Sequence, residues 1–287
     1  VVSFDAPVVS ACKPGIGAAS GSSVVTVTGF SGGTSLHSPR VPVGVSVSAA
    51  TVWLSDSASV SRTAAGLFGG RSVLSSVGVQ RGSLTLAFSY ATSSVSAVFP
   101  LLVPVTGSTS LTVNGASLGA SGSSARMRAG GSAGESSYWL SDSAVIGKAA
   151  NGLGKGRDLF VTVALGGSEL PGPVSYEAVS VSAVIGRTNA PSSGGAAVTV
   201  AGRGFGLNDG CAALRFSGSA AAVSRWHSTS GVVSRVGSGI FRGLSLIVSS
   251  GLQAGGVTQV VSFDAPVVIA CKPGIGAASG SSVVTVT

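Results

Sequence analysis

The first 28 residues, VVSFDAPVVSACKPGIGAASGSSVVTVT, return at Val260 as VVSFDAPVVIACKPGIGAASGSSVVTVT, with one change, Ser10 against Ile269. A chain that repeats itself at a fixed spacing folds as repeated units, so its period limits every other reading. Tryptophan gives one ruler: WLSDSASVSRTAAGLFGG starts at Trp53, WLSDSAVIGKAANGLGKG at Trp139 and WHSTSGVVSRVGSGIFRG at Trp226, 86 and 87 residues apart. The aromatics Phe4, Tyr90, Tyr176 and Phe263 in SFDAP, SYATS, SYEAV and SFDAP keep the same step, as do Gly29, Gly115 and Gly202 at the ends of VTVTG, LTVNG and VTVAG. Three rulers in phase define modules of about 86 residues, a length that suits one β-sandwich. The terminal copies lie 259 residues apart, three modules.

The expected organisation is therefore the end of a preceding module at 1–6, three modules at 7–91, 92–178 and 179–265, and the first two strands of a fourth at 266–287. The fourth nearly copies the first, so the larger unit reads as a three-module superrepeat. Met127 is the only methionine and no secretory signal is present, so the chain reads as a slice of a longer polypeptide.

Composition points to the same class. Charged residues make up 9% and aromatics 6%, Gly contributes 44 residues, and the apolar residues are mainly Val, Ala and Leu. A disordered chain would be poor in Val and rich in charge. Many short strands joined by small-residue turns fit better. PVVSAC, SSVVTVT, GVSVSAATVWL, SVLSSVGV and SLTLAFSY read as strands of the first module, Gly-rich stretches such as GLFGGR and GLGKGR as turns, and no segment carries a sustained helical period.

The opening SSGGAAVTVAGRGFG at Ser192–Gly206, preceded by SAVIGRTNAP, resembles that of an IPT/TIG domain. SGSSVVTVTGFSGG and TGSTSLTVNGASLG are weaker versions of it. The W-x-S segment, the Gly-rich turn and the closing FSYA, VSYEA and VSFDAP strands fit the same domain. The resemblance implies tandem immunoglobulin-like β-sandwiches, an all-β elongated array of three modules plus the start of a fourth, similar to those of large algal and protist surface proteins. Such modules often carry a cysteine pair flanking the tryptophan segment; here Ala49 or Ala50 and Ser61 stand at those places. The resemblance implies an architecture and leaves activity open, since one fold hosts many functions.

Most classes of chemistry are not expected. The net charge of +8 comes from 17 basic and 9 acidic residues, and the densest basic patch is only SARMRAG at Ser124–Gly130. Nucleic-acid modules concentrate charge on one face, so no nucleic-acid partner is expected; a diffuse positive field would suit an anionic polysaccharide. The most apolar run, Ala97–Val105, is cut by two prolines and is too short to span a bilayer. G-x-S-x-G occurs as GFSGG, GASLG and GGSAG, but a nucleophile elbow needs a strand running into a helix and a nearby histidine, and the chain has only His37 and His227. GRGFG and GLGKGRD lack the following helix of a phosphate loop, and no Ser or Thr follows Lys155 in the second. Asp56 and Asp142 recur in S-D-S where the third module has Thr229, so turn chemistry is expected rather than a calcium site. No catalytic residue, metal ligand or cofactor is expected.

Cys12 and Cys271 are one position seen twice, aligned with Val98 and Val184, and read as a small buried hydrophobe; a Cys211–Cys271 bridge would span opposite ends of adjacent modules and is not expected. Trp53, Trp139 and Trp226 are expected to anchor the cores, since an aromatic held in phase with the fold packs between sheets. Asn114, Asn151, Asn189 and Asn208 all miss the N-glycosylation pattern, while Ser and Thr leave O-glycosylation open without choosing sites.

Two functions remain. One is a structural segment of an extracellular fibre or cell-surface filament, its partners being further copies of itself and O-linked or associated glycans. The other is an adhesin or receptor ectodomain that reads a glycan or protein with its loops. The three modules differ by point changes and short insertions or deletions, which favours the scaffold.

Overall fold

A computed structural model describes residues 5–34, 40–120, 122–164, 166–186, 188–208, 212–272, 274–276, 278–281 and 283–287. Phe4, His37 and Cys211 lie outside them. The chain divides into two compact units, Val1–Tyr176 and Glu177–Thr287, and the described residues contain strands and no helix.

The first unit holds two sandwiches. In the first, the strands are β1 (Val8–Lys13), β2 (Ile16–Gly17), β3 (Val24–Phe30), β4 (Ala50–Ser55), β5 (Ala58–Arg62), β6 (Arg71–Val77) and β7 (Gln80–Tyr90). One sheet runs β1-β3-β5-β4 and the other β2-β7-β6, with β2 parallel to β7. Bridges from Arg40 to Ser76 and from Val43 to Val73 extend the second sheet. The second sandwich has β8 (Ser94–Phe99), β9 (Leu102–Val103), β10 (Ser110–Ala116), β11 (Ala125–Ala129), β12 (Ser132–Ala133), β13 (Ser136–Ser141), β14 (Ala144–Lys148), β15 (Arg157–Val163) and β16 (Gly166–Tyr176). Its sheets run β13-β14-β10-β8 and β12-β11-β15-β16-β9.

The second unit repeats this plan with β17 (Ser180–Gly186), β18 (Asn189–Ala190), β19 (Ala197–Arg203), β20 (Ala212–Phe216), β21 (Ser219–Ala220), β22 (Val223–Ser228), β23 (Gly231–Arg235), β24 (Leu244–Ser250) and β25 (Gln253–Phe263), in sheets β17-β19-β23-β22 and β18-β25-β24-β20-β21. A short hairpin, β26 (Cys271–Lys272) and β27 (Thr285–Val286), follows. The strand order is that of an immunoglobulin-like sandwich, four strands against the sheet that carries the last strand. The fold is all-β, built of tandem sandwiches.

Alternation builds each core. In β3, Val25 and Val27 point inward while Val24 and Thr28 face solvent, as period-2 packing requires. Val25, Val41, Val73 and Phe88 fill the first core. Leu111, Val113, Leu159 and Val174 fill the second, and Val200, Phe205, Leu246 and Val261 the third. Burying one such side chain contributes about 1.5–3 kcal/mol.

The glycine ruler has a steric cause. Ser10, Ser96 and Ser182 are extra residues in their strands, placed by the register shifts between Val9 and Ala11, opposite Asn114 and Gly115, and between Val181 and Ala183. Each bulge serine donates its hydroxyl across the ladder: Ser10 Oγ to Thr28 O at 3.0 Å, Ser96 Oγ to Asn114 O at 3.2 Å and Ser182 Oγ to Ala201 O at 3.1 Å. Opposite the bulges sit Gly29, Gly115 and Gly202, where a Cβ would run into the carbonyls of Val8, Ser94 and Ser180. The change from Ser10 to Ile269 falls on this bulge residue, and Ile269 is exposed.

The copied stretch has two fates. Val9, Cys12, Val25 and Val27 are buried, whereas their counterparts Val268, Cys271, Val284 and Val286 are exposed. The residues are the same; the buried set has a second sheet across from it.

Two strand expectations need correcting. The stretch GVSVSAATVWL is strand only in its second half, where β4 (Ala50–Ser55) begins; in its first half Ser46 makes only an isolated bridge to Val43. A further strand not among those expected, β5, lies inside its sheet between β3 and β4. Its inward residues are Ser59 and Ser61, 8% and 1% exposed, so no apolar alternation marks it.

Candidate functional site

The tryptophan loop is the first place where conserved phase could mean function. Asp56 and Ser57 turn β4 into β5, and Ser55 Oγ lies 3.1 Å from Ser57 Oγ; Ser141 with Ser143 and Ser228 with Ser230 repeat this at 3.1 and 3.2 Å. Trp53 Nε1 donates to Gly33 O at 3.1 Å, and Gly33 N donates to Asp56 Oδ1 at 3.0 Å. Trp226 Nε1 donates to Gly206 O at 3.2 Å. These glycines and the matching Gly119 hold φ of 77°, 87° and 95°, a left-handed backbone that favours glycine. In the second sandwich Trp139 Nε1 and Asp142 Oδ1 are buried without a protein partner, although Leu118 N still donates to Asp142 O at 2.8 Å. All three tryptophans are half-buried; Trp139 and Trp226 pack against their cores. This is a latch between a loop and a hairpin, and the fissure beside Trp53 has room for about one water, roughly 20 Å³.

The serine motifs lie apart from any such machinery. Gly29–Gly33 and Gly115–Gly119 leave β3 and β10 into loops, and Gly130–Gly134 spans the turn from β11 to β12. His227 lies on β22. Among the described residues no group of three His, Cys, Asp or Glu could hold a metal ion, and no helix is long and apolar enough to cross a membrane.

Cys12 is 8% exposed and Cys271 is exposed; both are free thiols. Burial pushes the Cys12 thiol up, which lowers its thiolate fraction at a given pH. A thiol reagent at pH near neutral is expected to label Cys271 in the native chain and Cys12 only after denaturation. Peptide mapping by mass spectrometry reads this directly, and equal labelling of both would contradict the burial of β1.

A position absent from the expected sites is the arginine that opens β6 and β15. Arg71 Nε and Nη2 donate to Leu67 O at 3.2 and 2.7 Å, and Arg157 Nε and Nη2 donate to Leu153 O at 3.0 and 2.6 Å. The guanidinium carbon of Arg71 stands 5.5 Å from the centre of the Phe68 ring, a cation–π contact, and Phe68 itself holds a φ of 75°, rare for a bulky residue. Beneath the stems, a Cβ at Gly44 or Gly130 would lie 3.3 Å from the Cδ of Arg71 or Arg157. Tyr90 Oη and Tyr176 Oη close the same corner by donating to Ala64 O and Ala150 O, both at 2.9 Å. Burial raises the pKa of each phenol, with Arg71 and Arg157 pulling the other way. The GLGKGRD stretch, weighed as a phosphate loop, thus spends its arginine on its own backbone.

In the third sandwich the corner differs. Leu244 replaces the arginine, Phe263 the tyrosine, Ile240 the leucine and Gly237 the alanine. A cleft of about 340 Å³ opens there, with Ile240 and Phe241 exposed at its mouth. A second cleft, of about 200 Å³, lies where the first two sandwiches meet, between Phe68 and Tyr90 on one side and Val163 and Gly166 on the other. Only Ala91–Ser93 link β7 to β8 there.

No family model matches the chain, and no curated protein matches it. Among solved structures, one crystallised with a xylogluco-oligosaccharide is similar at 11% identity over 89% of this chain and 59% of that one, with a TM-score of 0.46. The full extracellular region of plexin A4 matches at 15% identity over 81% of this chain and 21% of that one, at a TM-score of 0.31. The I9–I11 tandem of titin matches at 9% identity over 91% of this chain and 98% of that one, at a TM-score of 0.30. The chain spans less than two thirds of the length of the first two.

Proposed function

We propose that the chain is a structural segment of an extracellular fibre or cell-surface filament, tiled from IPT/TIG-like modules at 7–91, 92–178, 179–265 and onward from 266. The three-residue link from β7 to β8 carries this reading, because a junction that short leaves little freedom and would repeat one twist and rise at every step. The shared strand order and the three in-phase bulges support it, since they make successive modules alike. In this reading Trp53, Trp139 and Trp226 are structural anchors, further copies of the chain are the partners, and glycans decorate the surface.

Strands of about 8–10 residues give each module roughly 30 Å, so one 259-residue period advances about 90–110 Å in an end-to-end arrangement. Electron micrographs of filaments from the cell surface are expected to show an axial repeat in that range. A repeat far outside it rejects the linear tiling. The open cleft of the third sandwich keeps an adhesin or receptor ectodomain as a second reading, which a glycan array probed with the full chain would test.

A further inference from the structure

The first two sandwiches serve as occupied references for the third. In both, an arginine stem lies over a glycine, its guanidinium bonds a loop carbonyl twice, and a tyrosine hydroxyl bonds a second carbonyl three residues earlier. In the third, the equivalent carbonyls belong to Ile240 and Gly237, while the side chains of Leu244 and Phe263 carry no donor. Ser217, which matches Gly44 and Gly130 beneath the two stems, lines the cleft together with Gly237, Ile240, Phe241, Leu244 and Phe263. The aromatic that receives the guanidinium in the first sandwich is retained: Phe241 matches Phe68 and is 66% exposed. The cleft thus keeps the acceptors and the ring face of an arginine site and lacks the arginine.

We propose that the cleft between the β20–β21 turn and the loop before β24 is a receptor for an arginine side chain of a second copy of this chain. The proposal rests on the filament reading, in which further copies of the chain are the partners. A guanidinium presents five donors on a flat, apolar-faced group, which suits two carbonyls beside an aromatic ring. The chain holds many more basic than acidic residues, 17 against 9, so arginines are abundant on a second copy. Arg242 stands next to Phe241, but Lys155 occupies the equivalent place in the second sandwich, where Arg157 fills the corner all the same. One such contact is weak, and a filament would repeat it once per period, so affinity would grow by multivalency.

The test uses the full 287-residue chain, labelled for NMR. N-acetyl-arginine methylamide is expected to shift the amides of Gly237, Ile240 and Phe241 in a saturable way, and N-acetyl-lysine methylamide to bind at least tenfold more weakly. Leu244→Arg supplies the missing side chain from within and is expected to weaken probe binding at least tenfold. Phe241→Ala, at an exposed loop position, tests the same site without touching the core and is expected to weaken it as well. Equal response to both probes, or full binding by both variants, overturns the arginine site. In a dilution series without probe, the same three amides are expected to move with protein concentration in the wild type and to stay still in Leu244→Arg. If the probe binds but dilution leaves those amides unmoved, the second copy is not the source and the proposal falls. None of these readouts depends on the axial repeat, so filament and receptor can fail separately.

Discussion

Replacing Phe88 with alanine is expected to cost the first sandwich about 3–5 kcal/mol, the range for a large aromatic removed from a core. Phe88 is fully buried on β7, and its ring meets Tyr90 edge-on, with centroids 5.2 Å apart and planes at 86°. The surroundings cannot close over the gap. Gly17 on β2 is already so near the ring that a Cβ there would lie 2.6 Å from it, and Val25, Val41 and Val73 are themselves completely buried. Urea unfolding followed by amide exchange resolves the sandwiches individually. The opening free energy of β6 and β7 is expected to fall by that amount, while β19 and β24 keep theirs. A loss below about 1 kcal/mol would mean that the first core is not assembled around this ring.

Gly115→Ala is expected to be nearly as damaging for a different reason. The new methyl would enter the Ser94 carbonyl, and a backbone group held in a ladder cannot turn aside as a side chain can. Overpacking costs about 1–3 kcal/mol, and the upper end applies here because relief requires unmaking the bulge at Ser96 together with its hydrogen bond to Asn114 O. Gly131→Ala is the control, since nothing lies within 4 Å of its Cβ position. Thermal unfolding of the two variants should separate them by many degrees. If Gly115→Ala unfolds with the control, the bulge is not the reason for the glycine ruler.

The in-phase features that were easiest to see in the sequence are those with a backbone cause. Gly29, Gly115 and Gly202 are fixed by a close carbonyl, and Tyr90, Tyr176 and Phe263 end the strand that closes each sandwich. Features sustained by polar atoms were hidden. β5 turns Ser59 and Ser61 inward, and Ser61 Oγ donates to Ala50 O at 3.0 Å, so a hydrogen bond stands where the resemblance would place a cysteine pair. The short parallel strands β2, β9 and β18 hold two residues each, too few for any alternation to register. The arginine corner was hidden most deeply. The spacing aligns Arg71 and Arg157 with Leu244, but not what the two arginines reach, Leu67 O and Leu153 O, and without those contacts the replacement has no meaning.

The twin stretches at the two ends carry a thermodynamic consequence. Opening β1 and β3 exposes Val9, Val25 and Val27 to water, so their amides are released only when the whole first sandwich comes apart. Opening β26 and β27 exposes almost nothing new, because Val268, Val284 and Val286 are already wet. Nearly the same residues therefore differ between amides that open only with a whole sandwich and amides that fray, and the difference measures what a facing sheet is worth.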